Sequence, residues 1–225
     1  MGTLKENVSQ ALTDCTQLIS RINNFKMNAG YDKDDQRYIS FEACENVINF
    51  TRIHLDYFLV EVFGKSPPLM KRVPGITTAK DFDIFRTNFD KFHKMCLLTT
   101  LMFQIEIFMK SISNKLQGVP KGPGYKKLVD HVLEEVNLSD WAKKSKIMNG
   151  PAKMRNVLHA QGRFTEKSNF EVDISGKLFR FESGKLINFI FWDNVFLFLN
   201  SMFDVVEEVL KSPKVVTMKK IDELS

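Results

Sequence analysis

The chain has little of what covalent or metal chemistry needs. Cysteine is scarce: Cys15, Cys44 and Cys96 are the only three in 225 residues. Their number is odd, no two are close, and no C-x-x-C spacing occurs, which leaves neither a disulfide framework nor a zinc site and makes buried reduced thiols the expectation. Histidine is nearly as rare, with four residues. Three of them, His54, His93 and His131, fall far apart without ligand spacing. No phosphate loop is present: Gly122-Pro123-Gly124 lacks both the G-x-x-x-x-G-K-[ST] pattern and a preceding strand. Serine and cysteine nucleophiles have no partner pattern, and Glu134-Glu135 and Glu207-Glu208 read as solvated helix faces. No metal and no cofactor are therefore expected.

Long uninterrupted apolar runs are lacking too. The first fourteen residues are polar and amphipathic, without the apolar stretch of a secretory signal. Met1-Gly2 lacks the hydroxyl residue a myristoylation signal wants. The most apolar segment, 186–203, contains Asn188, Asp193, Asn194 and Asn200, each costly in a bilayer. It reads as a buried helix, so no membrane partner is expected and the cytoplasm is the expected location. Tyrosine and tryptophan are few, four and two, against twenty phenylalanines. Phenylalanine has no polar handle and wants burial in a core or an interface. On a chain of this size the surplus points to a homo-oligomer.

What is abundant is helical periodicity. Leu4, Val8, Ala11, Cys15, Leu18, Ile22 and Phe25 draw one stripe over residues 3–25. A second helix is predicted over 40–63, capped at Ser40 and following a charged loop at 32–37. Pro67, Pro68, Pro74 and Gly75 then make a loop. A third helix, 78–116, has Phe82, Phe85, Phe89, Phe92, Cys96, Thr99 and Phe103 on one seam. The next seam position is Glu106, which on a core face needs a cation. After a Gly/Pro break at 118–124 the pattern predicts helices over 125–136, from 139, and over 151–161, the last two separated by a turn at Asn149-Gly150-Pro151. Residues 170–174 alternate, Ser175-Gly176 is a turn pair, and 177–182 returns, which predicts a β-hairpin. A Phe-rich helix over 185–211 follows, then a tail at 212–225 that should fray. The expected fold is mainly α: one helical domain over 1–225, with an N-terminal helix at 1–30, an up-and-down bundle over 40–211 and a small hairpin at about 169–182 before a long C-terminal helix.

One stretch concentrates chemistry. Arg155 and His159 are four residues apart on a predicted helix and so share a face, with Asn156 at its edge. Histidine moves a proton near neutral pH. Arginine binds phosphate bidentately and stabilises developing negative charge. Asparagine can bond a ribose hydroxyl. Lys143, Lys144, Lys146, Lys153, Arg155, Arg163 and Lys167 surround the motif against Glu166 alone, an excess of six in a chain of formal net charge +5. That is the footprint of a nucleic-acid partner, or else a solvated lysine-rich face. Arg155 and His159 have a second reading as structural partners of Glu106.

The Arg155-Asn156…His159 pattern, late in a helical bundle, resembles the motif of HEPN domains (higher eukaryotes and prokaryotes nucleotide-binding), with three residues between Arg and His where that family usually has four to six. The loose resemblance covers 40–211. It implies a metal-independent endoribonuclease or RNA-binding protein, acting as a homodimer with a composite site, in toxin–antitoxin or defence systems, so that an antitoxin protein is an implied partner. On this chain Arg155 would hold phosphate, Asn156 would be the polar second residue and His159 the acid/base. Glu106 would support them, with Lys143, Lys144, Lys146, Lys153 and Arg163 binding RNA. A non-enzymatic interaction module is the alternative. A third class, a small-ligand pocket, would show as an apolar cavity near 186–203.

Overall fold

The computed structural model describes residues 3–63, 75–116 and 124–221. The first helix, α1, spans Leu4–Ala29. It opens with a capping box: the Thr3 hydroxyl accepts from the Glu6 N–H, while the Glu6 carboxylate accepts from the Thr3 N–H at 2.6 Å. Gly30, at φ 65°, closes it in the left-handed conformation that glycine adopts without strain. Its buried stripe is Val8, Ala11, Cys15, Leu18 and Ile22, as the spacing predicts.

The second helix, α2, spans Gln36–Tyr57 and passes into a π-helical turn, Phe58–Phe63. Its start corrects the sequence expectation by one turn. The cap is Asp35, whose carboxylate accepts from the Arg37 N–H at 2.8 Å, and Ser40 is buried inside the helix. Asp35 looked like one more charge in a polar loop. It is instead buried with Arg37, which also donates to the Val215 carbonyl at 3.1 Å.

The third helix, α3, spans Ala79–Lys115 behind a capping box of Thr78 and Asp81. Its Phe seam is the second correction. Phe82 is buried, but Phe92 is 55% and Phe103 64% exposed, and the core face further along is Leu97, Leu101, Ile105, Phe108 and Ile112. At about 100° per residue, Phe92 lies about 160° round the helix from the buried Asp90, and Phe103 about 160° from both Leu101 and Ile105, so the Phe repeat and the core face are nearly opposite sides of one helix. By length and composition, α3 is the one described helix apolar enough to cross a membrane, and half of that window is buried inside the bundle.

Helix α4 spans Tyr125–Glu135 and α5 spans Trp141–His159. The turn expected at Asn149-Gly150-Pro151 is absent: α5 runs through it, with Pro151 in its interior. A mid-helix proline removes a backbone bond and costs about 3 kcal/mol by itself. Tertiary packing offsets it, because Gly150 and Pro151 are both buried. A Cβ on Gly150 would lie 2.1 Å from the Phe198 ring, so only glycine lets that ring sit on the backbone. The glycine that reads as a breaker is a packing device.

The hairpin forms as predicted. Strand β1, Phe170–Ile174, pairs antiparallel with β2, Lys177–Phe181, in the register Val172↔Phe179. Ser175 at φ 53° and Gly176 at φ 80° form the turn, both left-handed as a tight two-residue hairpin requires. Val172, Ile174, Phe179 and Phe181 face inward, and Phe179 meets Phe198 at 4.7 Å between ring centroids. Helix α6 starts later than expected and spans Trp192–Lys211. Residues 185–191 lead into it in non-helical conformation. The tail expected to fray is tied as far as residue 221. Pro213–Val216 forms a short helix, α7, Ile221 is buried, and its carbonyl accepts from the Gln36 N–H at 2.7 Å.

The result is a mainly α bundle of seven α-helices among the described residues. α1 packs on α2 and α6, α3 on α2 and α5, and α5 lies between α3, α4 and α6 with the hairpin beside it. The predicted breaks at 64–74 and 117–123, and residues 222–225, lie outside the described residues.

Candidate functional site

Arg155, Asn156 and His159 occupy the last turn and a half of α5. The helix ends because Gln161 and Gly162 turn left-handed, at φ 54° and 93°, and the Gly162 N–H donates back to the Val157 carbonyl at 2.8 Å. His159 is exposed, and among the described residues it has no hydrogen-bond or ion-pair partner. Arg155 is half-buried. Its Nε and Nη2 donate to Asn156 Oδ1 at 3.2 and 3.0 Å. Asn156 Nδ2 in turn donates to Glu166 Oε1 at 3.4 Å, and Lys153 Nζ is held on Glu166 at 2.8 and 2.6 Å. A guanidinium has five N–H donors, so Arg155 keeps three unspent.

Glu106 is placed differently from its expected role. It is off the core face, and its ion pair is with Lys110, one turn along α3, at 2.8 Å. Tyr125 of α4 reaches α5, its hydroxyl donating to the Met148 carbonyl at 3.3 Å. Burial pushes the Tyr125 phenol well up, the Glu106 carboxylate adds to the rise, and Arg155 opposes it. Glu106 and Arg155 thus bear on the same buried hydroxyl without bonding each other.

The basic residues do not form one face. Lys143 and Lys146 are exposed. Lys144 pairs with Glu208 at 2.6 Å, Lys153 with Glu166, and Arg163 Nη1 donates to the Gly184 carbonyl at 3.1 Å. At about 100° per residue, Lys146 and Lys153 lie roughly half a turn round α5 from Arg155. The residues that sequence reasoning passed over are Tyr125 and Glu166. Glu166 had a signal, as the single acid in a basic stretch. Tyr125 had none, because its place against α5 depends on how α4 packs there.

Cys15 and Cys44 are buried and Cys96 is half-buried; burial pushes the first two thiols up to about 12, and Cys96 also rises. Among the described residues no group of three or more His, Cys, Asp or Glu is placed to hold a metal ion.

A second charged cluster lies near the end of α5. Asp90 and Lys94 of α3 form an ion pair with both side chains only 7% exposed. Trp192 Nε1 donates to the other Asp90 oxygen at 2.7 Å, and the Lys94 ammonium stands over the Trp192 ring at 5.3 Å.

The chain matches no family model, no curated protein and no solved structure.

Proposed function

We propose that this protein is a HEPN-like, metal-independent endoribonuclease that works as a homodimer. The observation that carries the reading is the open His159 imidazole on the helix face of a half-free Arg155. Had His159 been buried and satisfied by protein groups, it would have had no substrate role. Instead it faces solvent one helical turn beyond a guanidinium with three N–H donors to offer a phosphate. Asn156 holds that guanidinium in place and is itself steadied by Glu166. RNA supplies its own nucleophile: the 2′-hydroxyl attacks the adjacent phosphorus as the P–O5′ bond breaks, leaving a 2′,3′-cyclic phosphate and a 5′-hydroxyl. His159 takes the 2′-hydroxyl proton and delivers it to the departing 5′-oxygen, and Arg155 stabilises the added charge. The exposed Lys143 and Lys146 contribute non-specific attraction for the backbone.

The second copy has a surface to use. Phe50, Ile53, Tyr57 and Val60 repeat at three-and-four spacing along the outside of α2 and its π turn, each more than half exposed. Phe92 joins them across α3 through the ring contacts of His54 and His93. Together they offer on the order of 500 Å² of apolar area, most of the roughly 800 Å² that a stable partner covers. A toxin or defence role with an antitoxin protein follows only from the family resemblance.

The competing reading is a non-enzymatic helical interaction module, favoured by the Lys153–Glu166–Asn156 chain that ties part of the motif down. One experiment separates them: cleavage of a mixed pool of labelled RNAs in EDTA by the wild type and by His159→Ala of matched purity and fold. Cleavage with cyclic-phosphate ends that disappears in the variant is the expected result. Equal cleavage by both proteins, or none by either, sinks the nuclease reading.

A further inference from the structure

The Asp90–Lys94 pair forms part of the wall of a cavity of about 500 Å³. The cavity is bounded by the start of α1, the first half of α3, the end of α5 and the segment leading into α6. Leu158, Leu186, Ile187, Ile190 and Phe191 make its apolar surface. That combination of one apolar chamber and a few fixed polar groups is what small-molecule sites share.

Its charge has a sign. Asp90, Lys91 and Lys94 are the charged residues in the wall, two cations against one anion. Both Asp90 oxygens are engaged, one by Lys94 and one by Trp192 Nε1. Lys94 is not matched in the same way. An ammonium has three N–H donors, and Asp90 is its one protein acceptor among the described residues. A buried donor without an acceptor is costly, and a ligand anion relieves it. A second feature lies in the same wall. Helix α6 begins there, at Trp192, with Phe191 as a cap that supplies no side-chain hydrogen bond. The N–H groups of its first turn carry partial positive charge and favour an anion. The carboxylate of that first turn, Asp193, is exposed and is not among the residues of the cavity wall.

We propose that this cavity is a binding site for an amphipathic carboxylate, its headgroup on the Lys94 ammonium and the start of α6 and its apolar body along Leu186, Ile190 and Leu158. The site stands apart from the RNA reading, since none of Arg155, Asn156 and His159 is in its wall.

The test uses the full chain carrying Trp141→Phe, so that the remaining tryptophan, Trp192, reports from the cavity. Fluorescence and calorimetry follow titration with octanoate, 1-octanol and inorganic phosphate. Octanoate is expected to bind saturably, at least about tenfold more tightly than either of the others. Leu186→Glu, at a position 65% exposed, sets a like charge beside the ligand and is expected to weaken octanoate by about tenfold while leaving the unfolding midpoint in place. Lys94→Met is expected to abolish the preference for octanoate over octanol, and Leu186→Glu stands as the test if that variant fails to fold. Octanol binding as well as octanoate overturns the anionic half of the proposal. Phosphate binding as well as octanoate overturns the apolar half. Absence of saturable binding, or indifference to Leu186→Glu, overturns the site itself.

Discussion

The two charged clusters near the C-terminal end of α5 differ in what answers their charges. At Asp90, Lys94 and Trp192 the protein answers most of them itself, in a setting almost closed to water. At Arg155, Asn156 and His159 it answers only in part, leaving an imidazole and three guanidinium donors open. The first arrangement binds stability to specific partners. The second leaves its charges largely unanswered within the chain. Energetics and chemistry therefore separate: substitutions in the closed cluster should be felt in folding, and those in the open cluster in activity.

The largest expected effect is at the closed cluster. Asp90→Ala strands the Lys94 ammonium and the Trp192 N–H together, and a loss of about 3–5 kcal/mol is expected. Urea unfolding monitored by circular dichroism measures it. A loss under about 1 kcal/mol would show that water already shares the work of Asp90. Next comes Gly150→Ala, which forces the Phe198 ring or α5 to move and should cost about 1–3 kcal/mol. Adding Phe198→Leu should recover part of that loss, and simple additivity in the double-mutant cycle would dissociate the two residues.

A pH experiment sharpens the comparison. His93 neighbours the closed cluster, its Nδ1 hydrogen-bonded to the Phe89 carbonyl at 2.8 Å. Burial holds its pKa below the ordinary 6.5, His54 pushes the same way, and the Phe89 carbonyl and Asp90 oppose them. A depressed folded-state pKa means that the folded protein binds fewer protons than the unfolded chain. The stabilising contribution is thus present above 6.5 and is lost as pH falls through the folded value. The unfolding midpoint should drop between about pH 7 and pH 5, and drop less in His93→Phe. An unchanged slope in the variant would assign the pH dependence to other groups.

The smallest effects on folding belong to the open cluster. His159→Ala should change stability by less than about 0.5 kcal/mol while removing RNA cleavage. Glu106→Gln breaks a half-exposed pair with Lys110, and less than about 1 kcal/mol is expected. A larger loss in a thermal melt would mean that Glu106 does more for Tyr125 and Arg155 than its geometry implies.

Local chemistry made much of the fold legible. The stripe of α1, the Thr78 start of α3, the hairpin and its Ser175-Gly176 turn all follow from residues close in sequence. What stayed hidden depended on distant ones. Pro151 sits inside a helix because Phe198, forty-seven positions on, packs against Gly150. Asp35 caps α2 because Arg37 and the chain near Ile221 close over it. The outward facing of Phe92 and Phe103 follows from which side of α3 the neighbouring helices cover, which a repeat of apolar residues does not by itself give. At the candidate site, the motif residues and their shared helix carry a local signal. The engagement of Asn156 with Glu166, and of Glu106 with Lys110 in preference to Arg155, does not.

The contact between Phe198 and the bare backbone at Gly150 also sets the mechanics of α5. The neighbouring backbone positions, Asn149 and Pro151, both carry a Cβ, so the ring has one seat along that helix. Sliding α5 against α6 by a residue would unseat it, and rolling α5 about its own axis would bring a side chain under the ring. The helix is pinned at mid-length, nine residues before His159. Any displacement of the motif must then come from bending beyond the pin, and Pro151, with no N–H to give to the helical ladder, is the first residue past it.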